Sequence, residues 1–367
     1  FDYDVEWIYP EDSKTIGVGE ATVPEVTQFF KDCDIDLNKF IKDMDGGLKL
    51  GIKFENFYDG DHYHPFGNTD EEAAEIEYMM KNNKVPNDIL DYKDISGHFD
   101  VGTLAKYLDS IFETYDNLTI TRKSIQDFNL HHDWIVDCTG FSKKDVTLNI
   151  PNNSALVYRT DKPINQYPYT TCRAMDYGWC WNIPLRFKTS VGYVHDDKHN
   201  VQEEFIKYLK EHFGIDADPK DIRKVDMITG RKSKHVNNNI ISVGLASSFI
   251  EPIESTGLYL TIFGIRNALN VIQRNITAKE YDDLINEEFD AVADFIVAHY
   301  KFSTNSNEYW DRYKNLDCNL YRTNNLFPIR SWNYILQKDF PKIDAKGILK
   351  LRNGKTYKDW LNEKYTA

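Results

Sequence analysis

Val243-Gly244-Leu245-Ala246-Ser247-Ser248-Phe249-Ile250-Glu251-Pro252-Ile253-Glu254-Ser255-Thr256-Gly257 runs directly into Leu258, where an apolar stretch begins that continues to about Arg274. Ile240 to Leu245 (IISVGL) has the composition of a buried strand. The residues after it are small, and the apolar stretch is long enough only for a helix. The order is therefore strand, small-residue loop, helix N-terminus. The free N–H groups near Thr256 and Gly257 fall at the positive end of the helix dipole, a place suited to an anion. Taken alone, the same residues also read as ordinary N-capping by Ser255 or Thr256.

Working outward, strands and helices alternate. Val5–Tyr9 (VEWIY) reads as a strand, Leu48–Phe57 as one alternating strand, Trp134–Gly140 as a buried strand entering a glycine turn, and Trp179–Pro184 with Val191–Val194 as a strand pair. Helices are expected from Pro24 to about Asp34, from Leu104 to Tyr115, and over Val201–Phe213 with Gly214 as its C′ residue. Thr277-Ala278-Lys279-Glu280 is a capping box that starts a helix running to about Tyr300. Beyond Phe302 the chain is aromatic and polar with weaker periodicity. The class is α/β, or mixed α+β. The expected division is a core over residues 1–257 and a more helical region over 258–367.

The 367 residues suffice for a large buried core. The net charge of −14 disfavours nucleic acid and anionic membranes, because phosphates are repelled. No apolar run approaches the roughly 18 residues that span a bilayer. The five cysteines include no Cys-x-x-Cys pair, so neither a disulfide framework nor a metal site is expected, and a reducing cytoplasm fits. The acidic start differs from the basic, then apolar, start of a signal peptide. A homo-oligomer is compatible with all of this.

Three more segments carry chemistry. In Gly178-Trp179-Cys180-Trp181-Asn182-Ile183-Pro184, Trp179 and Trp181 face one side of a strand and make an indole wall, or simply a core face. In Gly47-Leu48-Lys49-Leu50-Gly51-Ile52-Lys53-Phe54, Lys49 and Lys53 share a face, as exposed edge lysines also do. Ile16-Gly17-Val18-Gly19-Glu20-Ala21-Thr22 is neither a Walker loop nor Gly-x-Gly-x-x-Gly.

Taken together and in this order, Ile16–Thr22, the Lys49 segment, WxWxIP and EPIESTG resemble the signature segments of the flavin-dependent tryptophan halogenases. His64-Pro65-Phe66-Gly67, VDCTG (Val136–Gly140) and Thr229–Lys232 resemble further segments, and the resemblance extends to about Trp310. It implies a flavin-monooxygenase-like FAD-binding fold. It implies that reduced FAD, delivered by a separate flavin reductase, reacts with oxygen, and that halide captures the distal oxygen of the resulting hydroperoxide as hypohalous acid. The acid then crosses to a small aromatic substrate. Lys49 and Glu254 match the catalytic pair: Lys49 either polarises hypohalous acid as an ammonium or forms a haloamine as a neutral amine, Glu254 polarises the acid or takes the proton lost from the ring, and Ser255 positions the glutamate. Gly17, Val18, Gly19, Glu20, Ala21, Thr22, Pro252 and Gly257 match flavin-binding positions. Trp179 and Trp181 wall the flavin from the substrate, Thr256 and Gly257 hold chloride, bromide or iodide, and His64 and Phe66 line the substrate pocket.

Departures from the pattern carry their own expectations. No Gly-x-Gly-x-x-Gly occurs, and Val5–Tyr9 reads as the second strand of the fold, so the first strand, its glycine loop and a helix are expected to be missing from the sequence as given. Tyr9 stands where an acidic residue for the adenosine ribose is expected, with Glu11 or Asp12 as substitutes. Tyr309, Trp310, Tyr313 and Trp332 are the candidates for an aromatic sandwich around the substrate. A flavin hydroxylase on the same fold, and an inactive flavin-binding relative, remain the alternatives.

Overall fold

Trp179 and Trp181 lie on the middle strand of a seven-stranded sheet, and their bulk dictates the neighbours. Trp181 is paired across the sheet with Gly192, and Trp179 with Val194. A side chain at Gly192 would run into the Trp181 ring, so the bare backbone is what lets the indole lie flat on its partner strand. Gly192→Ala is accordingly expected to destabilise the chain by roughly 1–3 kcal/mol through overpacking, seen as a lower urea midpoint with an unchanged slope; an unmoved midpoint would contradict it.

The structure is a computed structural model and describes residues 3–11, 20–35, 41–86, 95–125, 128, 131–148, 150, 152–337 and 354–366. In spatial order the large sheet runs Arg223–Asp226, Ser154–Thr160, Thr189–His195, Gly178–Pro184, Thr170–Met175, Gly51–Tyr58 and Gly60–Pro65. It is antiparallel except where Thr170–Met175 meets Gly51–Tyr58. Two parallel pairs lie outside it: Val5–Tyr9 with Leu118–Arg122, and Ile135–Asp137 with Ile240–Ser242. Helices form near the expected places at Pro24–Asp32, Val101–Phe112 (three residues earlier than expected), Gln202–Phe213, Gly257–Ile272 and Ala278–Lys301, and another, Asp70–Lys81, starts at a Thr69 capping box where none was expected. Both hydrogen bonds of the Thr277 capping box are made, and Gly214 closes its helix at φ +66°. Three further helices, Glu308–Lys314, Ile329–Ile335 and Tyr357–Thr366, lie where the sequence pattern is weak.

The expected single strand over Leu48–Phe57 is two strands in two sheets. Gly47–Lys49 pairs with Ser96–Phe99, which also pairs with Glu20–Ala21. Gly51–Tyr58 belongs to the large sheet. The break is at Leu50, whose N–H donates to Pro168 O and whose carbonyl accepts from Phe66 N–H. Gly51 lets the His64 carbonyl approach where a side chain would collide. As a result the two lysines part company. Lys53 stays near the rim, paired with Glu55 and Asp61 at 2.8 Å each, while Lys49 is completely buried.

The main hydrophobic cluster joins Ile52, Trp179 and Trp181 to Phe289, Phe295, Trp310 and Trp332, so residues on both sides of position 257 share one core. All five cysteines are free. Among the described residues no helix is long and apolar enough to cross a membrane, and no cluster of side chains has metal-ligand geometry.

Candidate active site

The turn after Ile250 brings the site together. Pro252–Glu254 form one 3-10 turn, Ser255 follows in the left-handed region at φ +62°, and the long helix starts at Gly257. A non-glycine residue held there costs on the order of 1 kcal/mol, which the contacts of the turn must offset. Pro252 and Gly257 are exposed, whereas Ile253, Glu254, Ser255 and Thr256 between them are buried. The strained Ser255 conformation directs its hydroxyl to the ammonium of Lys49, which donates to Ser255 Oγ at 2.8 Å and to the carbonyl of Thr22 at 2.9 Å. Lys49 thus links Thr22, just after the Glu20–Ala21 strand, to the Glu254–Ser255 turn. Its Nζ also sits 5.2 Å from the centre of the Phe66 ring. Burial drives the Lys49 pKa down to about 7, with Glu254 and then Cys172 partly opposing the fall.

Glu254 is held from two sides. His64 Nδ1 lies 3.0 Å from both carboxylate oxygens, and His299 Nε2 lies 2.7 Å from Oε1. Burial alone would raise this carboxyl. The charge of His64 and the hydrogen bonds from His299 and His64 overcome it and bring the group down to about 2. His299 is in turn bonded through Nδ1 to the Tyr58 hydroxyl at 2.9 Å.

A second buried carboxylate, Glu251, accepts from Trp179 Nε1 at 3.2 Å, from Asn152 Nδ2 at 2.6 Å, and from the Tyr300 hydroxyl. Burial pushes it up to about 7. Tyr309 donates to Asn152 Oδ1 at 2.8 Å, and the Tyr313 ring stacks on Tyr300 at 4.1 Å.

Of the residues singled out from sequence, Lys49, Ser255, Thr22, Glu254, His64 and Phe66 converge. Thr256 Oγ1 is buried with no hydrogen-bond partner among the described residues, and a side chain added at Gly257 would meet nothing within 4 Å. Trp179 and Trp181 do lie on one side of their strand, with ring centres 6.1 Å apart. Gly17, Val18, Gly19 and Asp12 lie outside the described residues. The expected aromatic sandwich is different: Tyr309, Trp310 and Tyr313 gather around Tyr300, and Trp332 stands edge-on to Phe295. The aromatic neighbours of His64 are instead Phe295, Phe327 and Tyr334, with Phe295 and Phe327 stacked at 3.8 Å. His299, Tyr58 and Glu251 were not picked out. A lone histidine in an apolar helix run and an acid three residues before Glu254 were the available signals.

Comparison with known proteins places the chain in a family. The family model for tryptophan halogenases matches residues 2–96 and 119–334. Tryptophan 6-halogenase ThaL of Streptomyces albogriseolus is 28% identical over 371 residues, covering 78% of this chain and 69% of that protein. Tryptophan 7-halogenase RebH of Lentzea aerocolonigenes is 25% identical over 396 residues, covering 85% and 74%. A flavin-dependent halogenase from Xanthomonas campestris shares the fold at a TM-score of 0.81 and 20% identity, over 99% of this chain and 89% of that one. A tryptophan halogenase from Shewanella frigidimarina does so at 0.82 and 20% identity, over 99% and 91%. With its mixed α/β fold matched over nearly the whole chain and the family model over most of its length, this protein is a member of the flavin-dependent tryptophan halogenase family.

Proposed function

We propose that this enzyme halogenates an electron-rich aromatic small molecule, with Lys49 and Glu254 acting on hypohalous acid and substrate. The observation that carries the reading is the buried Lys49 ammonium, tied to Thr22 and to Ser255, the residue next to Glu254. A buried cation and a buried carboxylate at one turn are a costly arrangement that a purely structural core does not need.

Bound reduced FAD, with oxygen, supplies the oxidant that turns halide into hypohalous acid. Glu20, Ala21, Thr22, Pro252 and Gly257 are the described residues assigned to the flavin; Pro252 and Gly257 are exposed, Glu20 and Ala21 half-buried, and Thr22 is buried with its carbonyl on Lys49. The sequence offers no nicotinamide motif, so a separate flavin reductase is assigned the reduction. Thr256 and Gly257 are assigned the halide: a buried hydroxyl without a partner among the described residues, and open backbone at a helix start, suit an anion. Trp179 and Trp181 are assigned the wall between flavin and substrate. His64 and Phe66 are assigned to the substrate pocket.

Lys49 has three N–H donors as an ammonium, and two are engaged. The third is available to the oxygen of hypohalous acid. Attack by a ring carbon forms the carbon–halogen bond and breaks the oxygen–halogen bond, and the departing hydroxide is neutralised to water at Lys49. Glu254 stabilises the positive charge arising in the ring and takes the proton whose loss restores aromaticity. A carboxylate of low pKa suffices there, because a protonated, halogenated ring is itself a strong acid. Since this step uses the ammonium, turnover is expected to fall as pH rises through about 7.

The test is mass spectrometry of products. The protein is incubated with FAD, a flavin reductase, NADH, air and chloride, bromide or iodide, against indoles, phenols and anilines. A gain of one halogen less one hydrogen, lost in Lys49→Ala, supports the reading. A gain of oxygen turns it to a hydroxylase, and halogenation retained in Lys49→Ala removes Lys49 from the mechanism.

A further inference from the structure

We infer that His299, oriented by Tyr58, is a positioning residue for Glu254, and that Oε2 is the carboxylate oxygen left to take the ring proton. The inference rests on the reading of Glu254 as the carboxylate of the site.

The argument starts from what each group can donate. An ionised carboxylate only accepts, so both imidazole nitrogens that face Glu254 must carry hydrogen. His299 Nε2–H therefore donates to Oε1 at 2.7 Å, and His64 Nδ1–H is shared between Oε1 and Oε2 at 3.0 Å each. A neutral His299 then has only a lone pair at Nδ1, and the Tyr58 hydroxyl, 2.9 Å away, must donate into it. With His299 neutral, this accounting sets the direction of every bond in the chain Tyr58–His299–Glu254. Oε1 meets one donor of its own and shares a second equally with Oε2, so Oε2 keeps the more available lone pairs. His299 cannot carry the proton onward through Nε2, because that nitrogen already bears one; its work is orientation.

The surroundings make the orientation rigid. The His299 ring stacks on Phe54 at 4.6 Å and meets Phe295 edge-on at 5.3 Å. Tyr58, His64 and His299 come from three different elements, two strands of the large sheet and the Ala278–Lys301 helix. The other titratable groups that face Glu254 are Lys49 and Cys172, each from its own strand, and Glu251 lies three residues earlier in the same turn. His62 faces both His64 and His299; burial, then His64, keeps it uncharged with its pKa down at about 4. Burial likewise lowers the His299 pKa, against the hydrogen bond and charge of Glu254, a direction that favours the neutral imidazole.

The test reads Glu254 directly and needs no substrate. Infrared spectra of the whole protein are titrated with acid, and in each variant the carboxylic-acid band of Glu254 is identified as the one that disappears when Glu254→Gln is added to it. In the wild-type chain the band is expected to stay absent through the folded range. In His299→Leu it should appear at least about one pH unit higher than in wild type, because a donor to the charged form is gone. His299→Gln, whose amide can still donate, should restore most of the difference, and Tyr58→Phe should give a smaller shift of the same sign. If His299→Leu does not fold, the other two variants decide. Titration of Glu254 unmoved in all folded variants overturns the inference. Turnover of indole with bromide separates the two readings: Glu254→Gln as active as wild type would remove the catalytic glutamate while leaving the positioning result standing, whereas an inactive Glu254→Gln beside an unmoved titration would remove His299 alone.

Discussion

Lys49→Met is expected to abolish halogenation and, on the acid side of neutrality, to raise the stability of the fold. The free lysine holds its proton up to about 10.5, and the buried one only to about 7. Between those values the unfolded chain binds more protons than the folded one, so wild-type stability rises with pH across that window. Below about pH 7 both states are protonated and the whole cost of burying the ammonium is present. At about 1.4 kcal/mol per pH unit, that cost is on the order of 5 kcal/mol. Methionine fills similar space without charge, next to Phe66 and the apolar core. Against this gain, the Thr22 carbonyl and the Ser255 hydroxyl lose their donor, at about 1–3 kcal/mol each. With losses toward the lower end of that range the balance favours the variant at low pH, and it turns against the variant at high pH, where the wild-type amine is neutral and its hydrogen bonds come without the charge penalty. Melting temperatures of the two proteins at about pH 5.5 and about pH 9.5 test the sign. A variant less stable than wild type at both would show that the hydrogen bonds of Lys49 outweigh the cost of burying its charge. Flavin reoxidation by oxygen should persist in the variant, since Lys49 enters after that step.

What could be read from the sequence, and what could not, divides along contiguity. Glu254, Ser255 and Thr256 lie in one unbroken segment between a strand and a helix, so their convergence is local and visible. Trp179 and Trp181 follow from the two-residue period of a strand. The depth of Lys49 is not local. The run Leu48 to Phe54 alternates as one strand would, and nothing in that alternation marks the break at Leu50. The break exists because Pro168 and Phe66 take the Leu50 backbone groups and the His64 carbonyl crowds Gly51, contacts from distant parts of the chain. His299 was hidden for the same reason. In Phe295-Ile296-Val297-Ala298-His299-Tyr300 it is one polar residue on a buried helix, indistinguishable from a satisfied core histidine until Glu254 is placed beside it. The aromatics after Phe302 announced a packed face but not its partner, and Tyr309 and Tyr313 turned out to serve the network of Asn152 and Glu251 while Phe295 and Phe327 stand by His64.

Glu254→Gln is expected to reduce halogenation about a hundredfold while leaving binding of the aromatic substrate nearly unchanged. The amide keeps the shape of the side chain but brings two N–H donors to a place where His64 and His299 already donate. The chain can adapt on one side: His299 can move its hydrogen to Nδ1, donate to the Tyr58 oxygen, and accept from the amide through Nε2. The fold should therefore survive with a loss of about 1–3 kcal/mol, set by whichever donor stays unpaired. The catalytic deficit is larger because the negative charge facing the ring is gone in the transition state. The substitution also reaches Lys49. Glu254 is the group that most raises the Lys49 pKa against burial, so its removal should let that pKa fall further. Residual halogenation in the variant should then decline with rising pH earlier than in wild type. Measuring kcat against pH in both proteins separates two roles for the glutamate. A hundredfold loss with the alkaline limb displaced to lower pH means that Glu254 both takes the ring proton and holds Lys49 in its charged form. The same loss with the limb unmoved means that it acts on the substrate alone, and undiminished kcat would dismiss it from the chemistry altogether.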